Sequence, residues 1–457
     1  MTDSASPTSA IGARGSQEFE TARRVVSSGN PGAFLRALQG GPRGFWARGP
    51  RWVAHAGVLG EIEAAPGPGR YGAVAETAHG WRERGDGREA LRFYGGFSFR
   101  DDHQPGGLWS AFPVALFHLP TVELDGEADG PARLRVRVPA GGDPAAARDR
   151  AEAEADHLVQ LMGDHGDPPL PTQVSGVIRE GDRVPWMEAV ETTLSAIRTG
   201  SISKAVLART REVELEGALS AVQVLLALWS QHTRTHAFLF EPRPGALLLG
   251  AAPEALATLR DGMVTATAVA GSVPRGADAR EDDLLARELL ESRKDRAEHR
   301  VVVEDMVTRL APLAGPIRAQ AEPHILRLAR IQHLETEIEA PAHPGLSVLE
   351  LVEALHPTPA VCGVPRDAAL DFLLDAEPFQ RGWYAGPVGW FDTEGEGHFV
   401  PALRTAVGDG RTWRLFAGAG IVEGSRPSME WEETAIKFLP VLRALIDSGA
   451  ALDGAEP

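Results

Sequence analysis

Four runs in the second half of the chain restrict its fold more than any other feature. They are "KAVLARTREVEL" from Lys204, "HAFLFEPRPGALLLGA" from His236, "GMVTATAVAG" from Gly262 and "TWRLFAGAGIV" from Thr412. Each is rich in strand formers, and Gly/Pro turns or long helical stretches separate them. Strands that return through tight turns pair antiparallel, and the helices between such clusters cover their faces. The pattern predicts an α+β fold with large antiparallel sheets. Helices are expected over 185–198, 218–231, Asp282 to Leu313 and from Pro427, the last kinked by Pro440. The first half carries shorter aromatic segments, "GFWARGPRWVAHAGVLG" and "LRFYGGFSFRDD", then an "RLRVRV" strand, a helix from Pro144 to about Met162, and a connector at 165–173. Residues 1–20 and 450–457 read as tails, 21–180 as a divergent N-terminal part of the same fold, and 181–449 as the motif-dense region.

At 43% hydrophobic and 24% charged, the 457 residues have the make-up of an ordinary globular protein. The one cysteine, Cys362, rules out an internal disulfide framework and a cysteine-built zinc site. No apolar run reaches about 18 residues, and the N-terminal stretch lacks the apolar segment of a secretory signal. These features point to a cytoplasmic protein without a membrane span, expected as a monomer or weak homodimer. The net charge of −17 argues against nucleic acid. It would also repel a small anion, unless a bound cation or a few placed basic groups reverse the local sign.

Only Lys204, Lys294 and Lys437 among the 46 Lys and Arg residues are lysine. A desolvated lysine amine can lose its proton, whereas guanidinium cannot. In a strand, Lys204 shares a face with Val206 and Ala208. It is either a candidate general base in an apolar setting or a strand-end lysine reaching water. Glu254 is the only charged residue between Ala246 and Leu259. Apolar surroundings can hold such a carboxyl protonated as a general acid, and a turn glutamate reaching solvent is the alternative. Asp295 and Glu298 are three apart and share a helical stripe with Val302 and Met306, and Glu430 and Glu433 repeat the spacing with Thr434, Lys437 and Val441. Exposed salt-bridged faces would give the same spacing. Buried, the four acids are an oxygen-only ligand set suited to Mg²⁺ or Mn²⁺.

Arg404 in "HFVPALRTAV" shares a strand face with Val400, Ala402 and Ala406, whose small side chains leave room for an anion on its guanidinium; an internal ion pair is the alternative. "GAGIVEG" at 418–424 is not a dinucleotide loop, because Glu423 stands where a third glycine is needed and no βαβ unit surrounds it. Its glycines suit a close backbone approach to a ligand. His356 in "HPTPA" reads as a loop histidine with a structural role and a secondary contact to the ligand.

The segments "KAVLAR", "GAAPEAL", "AVAGSVPRG", "ESRKDRAEH", "HPTPAVCGVP", "RGWYAGPVGW", "ALR", "LFAGAGIV" and "EWEETAIK" resemble, jointly and in order, the chorismate-utilising family of isochorismate synthases, anthranilate synthase component I and salicylate synthases. They span about residues 200–445. "YGGFSF", "HPTPA" and "RGWYAGPVGW" look more like the longer menaquinone-type isochorismate synthases than the shorter siderophore-type enzymes. The resemblance implies two large antiparallel sheets flanked by helices, and Mg²⁺-dependent conversion of chorismate to isochorismate. By position, Lys204 would activate water and Glu254 would protonate the departing hydroxyl. Glu298 and Glu433 would hold the metal, with Asp295 and Glu430 close behind. Gly271 and Ser272 would meet the ring carboxylate. Tyr384, Arg404, the backbone of Gly418, Ala419 and Gly420, and Lys437 would take the enolpyruvyl side. Relatives that use ammonia typically carry glutamine at the Lys204 position. Ala252, Ser272 and Pro401 depart from the family pattern. A salicylate synthase, a siderophore-pathway isochorismate synthase, an ammonia-using synthase, which Lys204 opposes, and a non-catalytic chorismate binder are the competing readings.

Overall fold

Period-two alternation across the strand runs lets each strand bury one face against a second layer. In the computed structural model this produces two sheets packed together. The structure describes residues 13–14, 18–27, 29–84, 89–128, 130–164, 172–231 and 234–453. Among them an 11-stranded and a 13-stranded sheet form, antiparallel except where Ala450–Asp453 runs parallel to Val174–Glu180. One buried cluster joins residues of both sheets, including Trp46 and Phe238 from one and Leu116 and Val400 from the other. A second packs the outer face of the larger sheet under the helices Pro144–Asp164, Ala221–Gln231 and Pro427–Asp447. A third packs the smaller sheet under Arg70–His79, Arg293–Leu310 and Val348–Leu355. The result is four layers, helices outside and sheets within.

Strands from both halves of the chain share each sheet. Arg43–Arg48 pairs with His236–Arg243, and Arg92–Phe97 pairs with Pro387–Asp392. Among the described residues no helix is long and apolar enough to cross a membrane.

The structure corrects three expectations. The long helix from Asp282 divides into Ala279–Glu291 and Arg293–Leu310, because Ser292 adopts extended backbone and its hydroxyl accepts from the Asp295 amide, capping the second helix. Residues 13–14, 19–20 and 450–453 belong to strands rather than tails; 1–12, 15–17, 454–457 and the 165–171 part of the connector lie outside the described residues. The run "HFVPALRTAV" is not one strand. Gly397–Pro401 belongs to the smaller sheet and Thr405–Gly408 to the larger, because Pro401 has no amide hydrogen with which to continue the ladder. The helix Pro427–Asp447 continues through Pro440, held by buried Phe438, Val441 and Leu442 on either side of the missing hydrogen bond.

Candidate active site

Two of the candidate residues stand where the chain passes between the sheets. It leaves the larger sheet at Ala252 and joins the smaller at Ala257, with Glu254 in the crossing. It returns between Pro401 and Thr405, with Arg404 in that crossing at φ 51°. A left-handed arginine is strained by roughly 1–3 kcal/mol and persists only where its surroundings hold it. Both residues line a cleft of about 480 Å³.

The third wall is a strand pair. Lys204–Leu215 runs antiparallel to Thr412–Ile421, with Val206 opposite Gly420 and Ala208 opposite Gly418. Both glycines face the cleft. A Cβ on Gly420 would come within 2.3 Å of Glu298 Oε1 and 3.2 Å of Lys204 Cε, so only glycine leaves these groups room. Lys204, at the end of the strand, puts Nζ 2.9 Å from Glu298 Oε1. Its setting is therefore an ion pair, not the purely apolar one expected. On a bulge in Met263–Pro274, Gly271 at φ 75° would place a Cβ 3.0 Å from Asp295 Cβ.

Burial pushes the Glu254 carboxyl up to about 8, against the opposing charges of Arg404 and Lys204. It therefore carries its proton at neutral pH. Arg404 is also buried, which pulls its guanidinium below the ordinary value. Among the described residues no carboxylate stands within ion-pairing distance of it. Its hydrogen bond goes to His333 Nε2 at 3.1 Å. Guanidinium only donates, so Nε2 accepts and Nδ1 carries the hydrogen towards Ser272 Oγ, 2.9 Å away. Burial, then Arg404 and Lys437, hold His333 far below its usual pKa and hence neutral.

The four acids gather at one end of the cleft, and each has a partner. Lys204 pairs with Glu298, Lys437 with Glu433 at 2.5 Å, and Lys294 with Glu430 at 3.3 Å, while the Ser292 hydroxyl donates to Asp295. All three lysines of the protein thus meet here. Burial pushes Asp295 up, and Glu298 and Glu433 add to it; burial and Glu433 do the same to Glu430. Burial also acts to raise Glu298, but Lys204, Lys294 and Lys437 outweigh it and its pKa ends low. No three acidic, histidine or cysteine side chains among the described residues stand in a preformed coordination shell. The donor set nevertheless fits a hard cation. It is all oxygen, its members repel one another, and the lysines now supply the positive charge it requires.

Of the other expected residues, Gly271, Ser272, Gly418, Glu433 and Lys437 line the cleft, and Lys437 also donates to Gly418 O at 2.9 Å. Three do not. Ala419 turns its methyl into the core between the two glycines, as strand alternation dictates. Tyr384 is buried and stacked on Phe416, its hydroxyl 3.1 Å from where a Cβ on Gly418 would stand, and burial pushes its phenol up to about 12. His356 follows the helix Val348–Leu355, with Nε2 3.0 Å from Phe99 O, away from the cleft. His333 is the cleft residue that sequence reasoning missed.

Over residues 12–446 the sequence matches the family model described as chorismate binding enzyme. It is 34% identical to isochorismate synthase MenF of Bacillus subtilis over 355 residues, 77% of this chain and 74% of that protein. It is 38% identical to the salicylate biosynthesis isochorismate synthase of Pseudomonas aeruginosa over 367 residues, 79% of this chain and 75% of that one. The solved structure of MenF, the menaquinone-specific isochorismate synthase from Escherichia coli, superposes with a TM-score of 0.76 over 94% of this chain and 96% of that one, a likeness of fold at 24% identity. With the match running through both sheets and the cleft between them, the chain belongs to the chorismate-binding enzyme family.

Proposed function

We propose that the protein is an isochorismate synthase, isomerising chorismate with Mg²⁺ and supplying isochorismate for menaquinone assembly. The observation that carries the reading is the pairing across one cleft of a carboxylic acid protonated at neutral pH, Glu254, with a buried guanidinium, Arg404, that has no ion-paired carboxylate among the described residues. Such a pair suits an anionic substrate from which a hydroxyl must leave.

For this step Lys204 must part from Glu298 and release its ammonium proton to solvent; the neutral amine then takes a proton from water as the water oxygen bonds to ring carbon 2. The ring double bonds shift, and the carbon 4 hydroxyl departs with the proton of Glu254. One proton is accepted and one given, so the product is an isomer. Arg404 and Lys437 hold the enolpyruvyl carboxylate, and His333 keeps Arg404 in place. Glu298 and Glu433, with Asp295 and Glu430 beside them, would hold Mg²⁺, which would supply positive charge for the ring carboxylate. Binding it requires the acids to part from their lysines. The menaquinone assignment rests on the "YGGFSF" and "HPTPA" segments. Similarity to both a MenF protein and a salicylate-pathway enzyme fits the same first reaction.

Purified protein incubated with chorismate and Mg²⁺ is expected to yield isochorismate by NMR, with turnover lost on adding EDTA. Salicylate plus pyruvate would replace this reading with a synthase-lyase. Binding without turnover would replace it with a chorismate-binding protein.

A further inference from the structure

The strand Lys204–Leu215 has a complete partner on one side only. There, Ala205 to Glu214 pair with Thr412–Ile421. On the other side Val174–Glu180 covers Arg211 to Leu215, and the two-residue strand Gly363–Val364 covers Lys204 and Ala205. Between them, among the described residues, no strand lies beside this edge. Period-two alternation aims the backbone groups of Val206 and Ala208 into this opening, directly beyond Lys204.

Two side chains occupy it. The Glu377 carboxylate accepts from the Ala208 amide at 2.8 Å. Arg381 Nη2 donates to Val206 O at 2.6 Å, and its Nη1 to Val361 O at 2.8 Å. The Val206 amide goes to Cys362 O at 2.6 Å. Arg381 and Glu377 form a two-bond ion pair, with Nε to Oε2 at 2.8 Å and Nη2 to Oε1 at 2.5 Å, and their side chains are 4% and 5% exposed. Arg381 also lies over the Phe99 ring, 4.4 Å from its centroid. Together the two side chains offer the strand one donor and one acceptor, as a neighbouring strand would.

We propose that the Arg381–Glu377 pair substitutes for the missing strand and so fixes where the Lys204 amine stands. Arg381 and Glu377 are positioning residues: neither lines the cleft, and both act through the backbone two and four residues beyond Lys204. The inference rests on Lys204 being the base. A buried pair that merely stabilised the fold would, once broken, lower the melting temperature and leave the folded enzyme's kinetics intact. A pair that sets the strand lowers kcat without weakening the grip on substrate, because Arg404 and Lys437 come from other elements.

The test compares Arg381→Gln, Arg381→Lys and Glu377→Gln in the full-length protein by steady-state kinetics and by amide hydrogen exchange over residues 204–210. Arg381→Gln is expected to lose about 100-fold in kcat, the scale of a displacement of roughly 1 Å at a reacting group, with the chorismate KM nearly unchanged. Glu377→Gln keeps a carbonyl for the Ala208 amide and should recover most of that loss. Exchange at Val206 and Ala208 should quicken in both arginine variants. Should Arg381→Gln not fold, Arg381→Lys and Glu377→Gln carry the comparison. Wild-type kcat and KM in a less stable variant, a KM that rises as much as kcat falls, or unchanged exchange at Ala208 would each overturn the proposal. If the wild-type protein fails to turn over chorismate, the proposed function falls, and the exchange measurement alone decides whether the pair holds the strand.

Discussion

Glu254 is the residue whose chemistry the fold sets most directly. Burial raises its carboxyl to about 8 from an ordinary 4.5, so the acid needed for a leaving hydroxyl is present at neutral pH. As far as Glu254 sets it, activity should fall as pH rises through about 8. Glu254→Gln should bind chorismate, lose on the order of 10²–10⁴ in kcat, and show no such limb in its residual rate, all measurable in one pH–rate series. The stability sign runs the same way. The unfolded chain sheds this proton above pH 4.5 and the folded one keeps it, so Glu254 penalises folding increasingly between 4.5 and 8, at about 1.4 kcal/mol per unit of pH. At this scale the sequence was legible wherever one charge interrupted an apolar run, as at Lys204 and Glu254. His333 gave no such sign. A histidine in a half-buried strand looks the same whether it faces core or cleft, and it is the crossing of the chain at Arg404 that brings a guanidinium to its Nε2.

At the scale of elements, the break at Ser292 matters because it begins a helix at the acids rather than passing them in mid-helix. Ser292 accepts from the Asp295 amide at 3.2 Å and donates to the Asp295 carboxylate. Ser292→Ala should cost about 1 kcal/mol, read from the urea midpoint at constant m-value. The S-x-x-D spacing of a helix start was present in "SRKD" but hidden by an amphipathic stripe that continues across it. The change of sheet in "HFVPALRTAV" was hidden differently, since strand composition on both sides of Pro401 cannot say which sheet each side joins. The strand Lys204–Leu215 was legible to its ends.

For the whole molecule, buried histidines set the response to acid. Desolvation lowers His55 and His236 to about 3 and His299 to about 4, and holds His333, His356 and His398 far below 6.5. Below pH 6.5 the unfolded chain takes up these protons and the folded chain does not. Stability is therefore greatest above 6.5 and declines as pH falls, each histidine contributing about 1.4 kcal/mol per unit. Glu254 and Asp392, raised to about 8 and about 6, oppose this together with the raised carboxyls of Asp295, Glu335 and Glu430, and are outnumbered by the histidines. The melting temperature should drop steeply between pH 6.5 and 5; a flat profile there would contradict the burial of these rings. The layered α+β architecture was readable from turn-punctuated strands. The weaving of Arg43–Arg48 against His236–Arg243 was not, because local pattern says nothing of pairing between distant strands. The gathering of every lysine at the acidic end of one cleft has a practical side. With arginine at all other basic positions, an acylating reagent selective for ε-amines finds its targets there and nowhere else along the chain. Lys294, the most open at 40%, is the first within reach, and Lys437 and Lys204 follow at 12% and 3%. The enzyme carries its own chemical reporter of whether that cleft is filled.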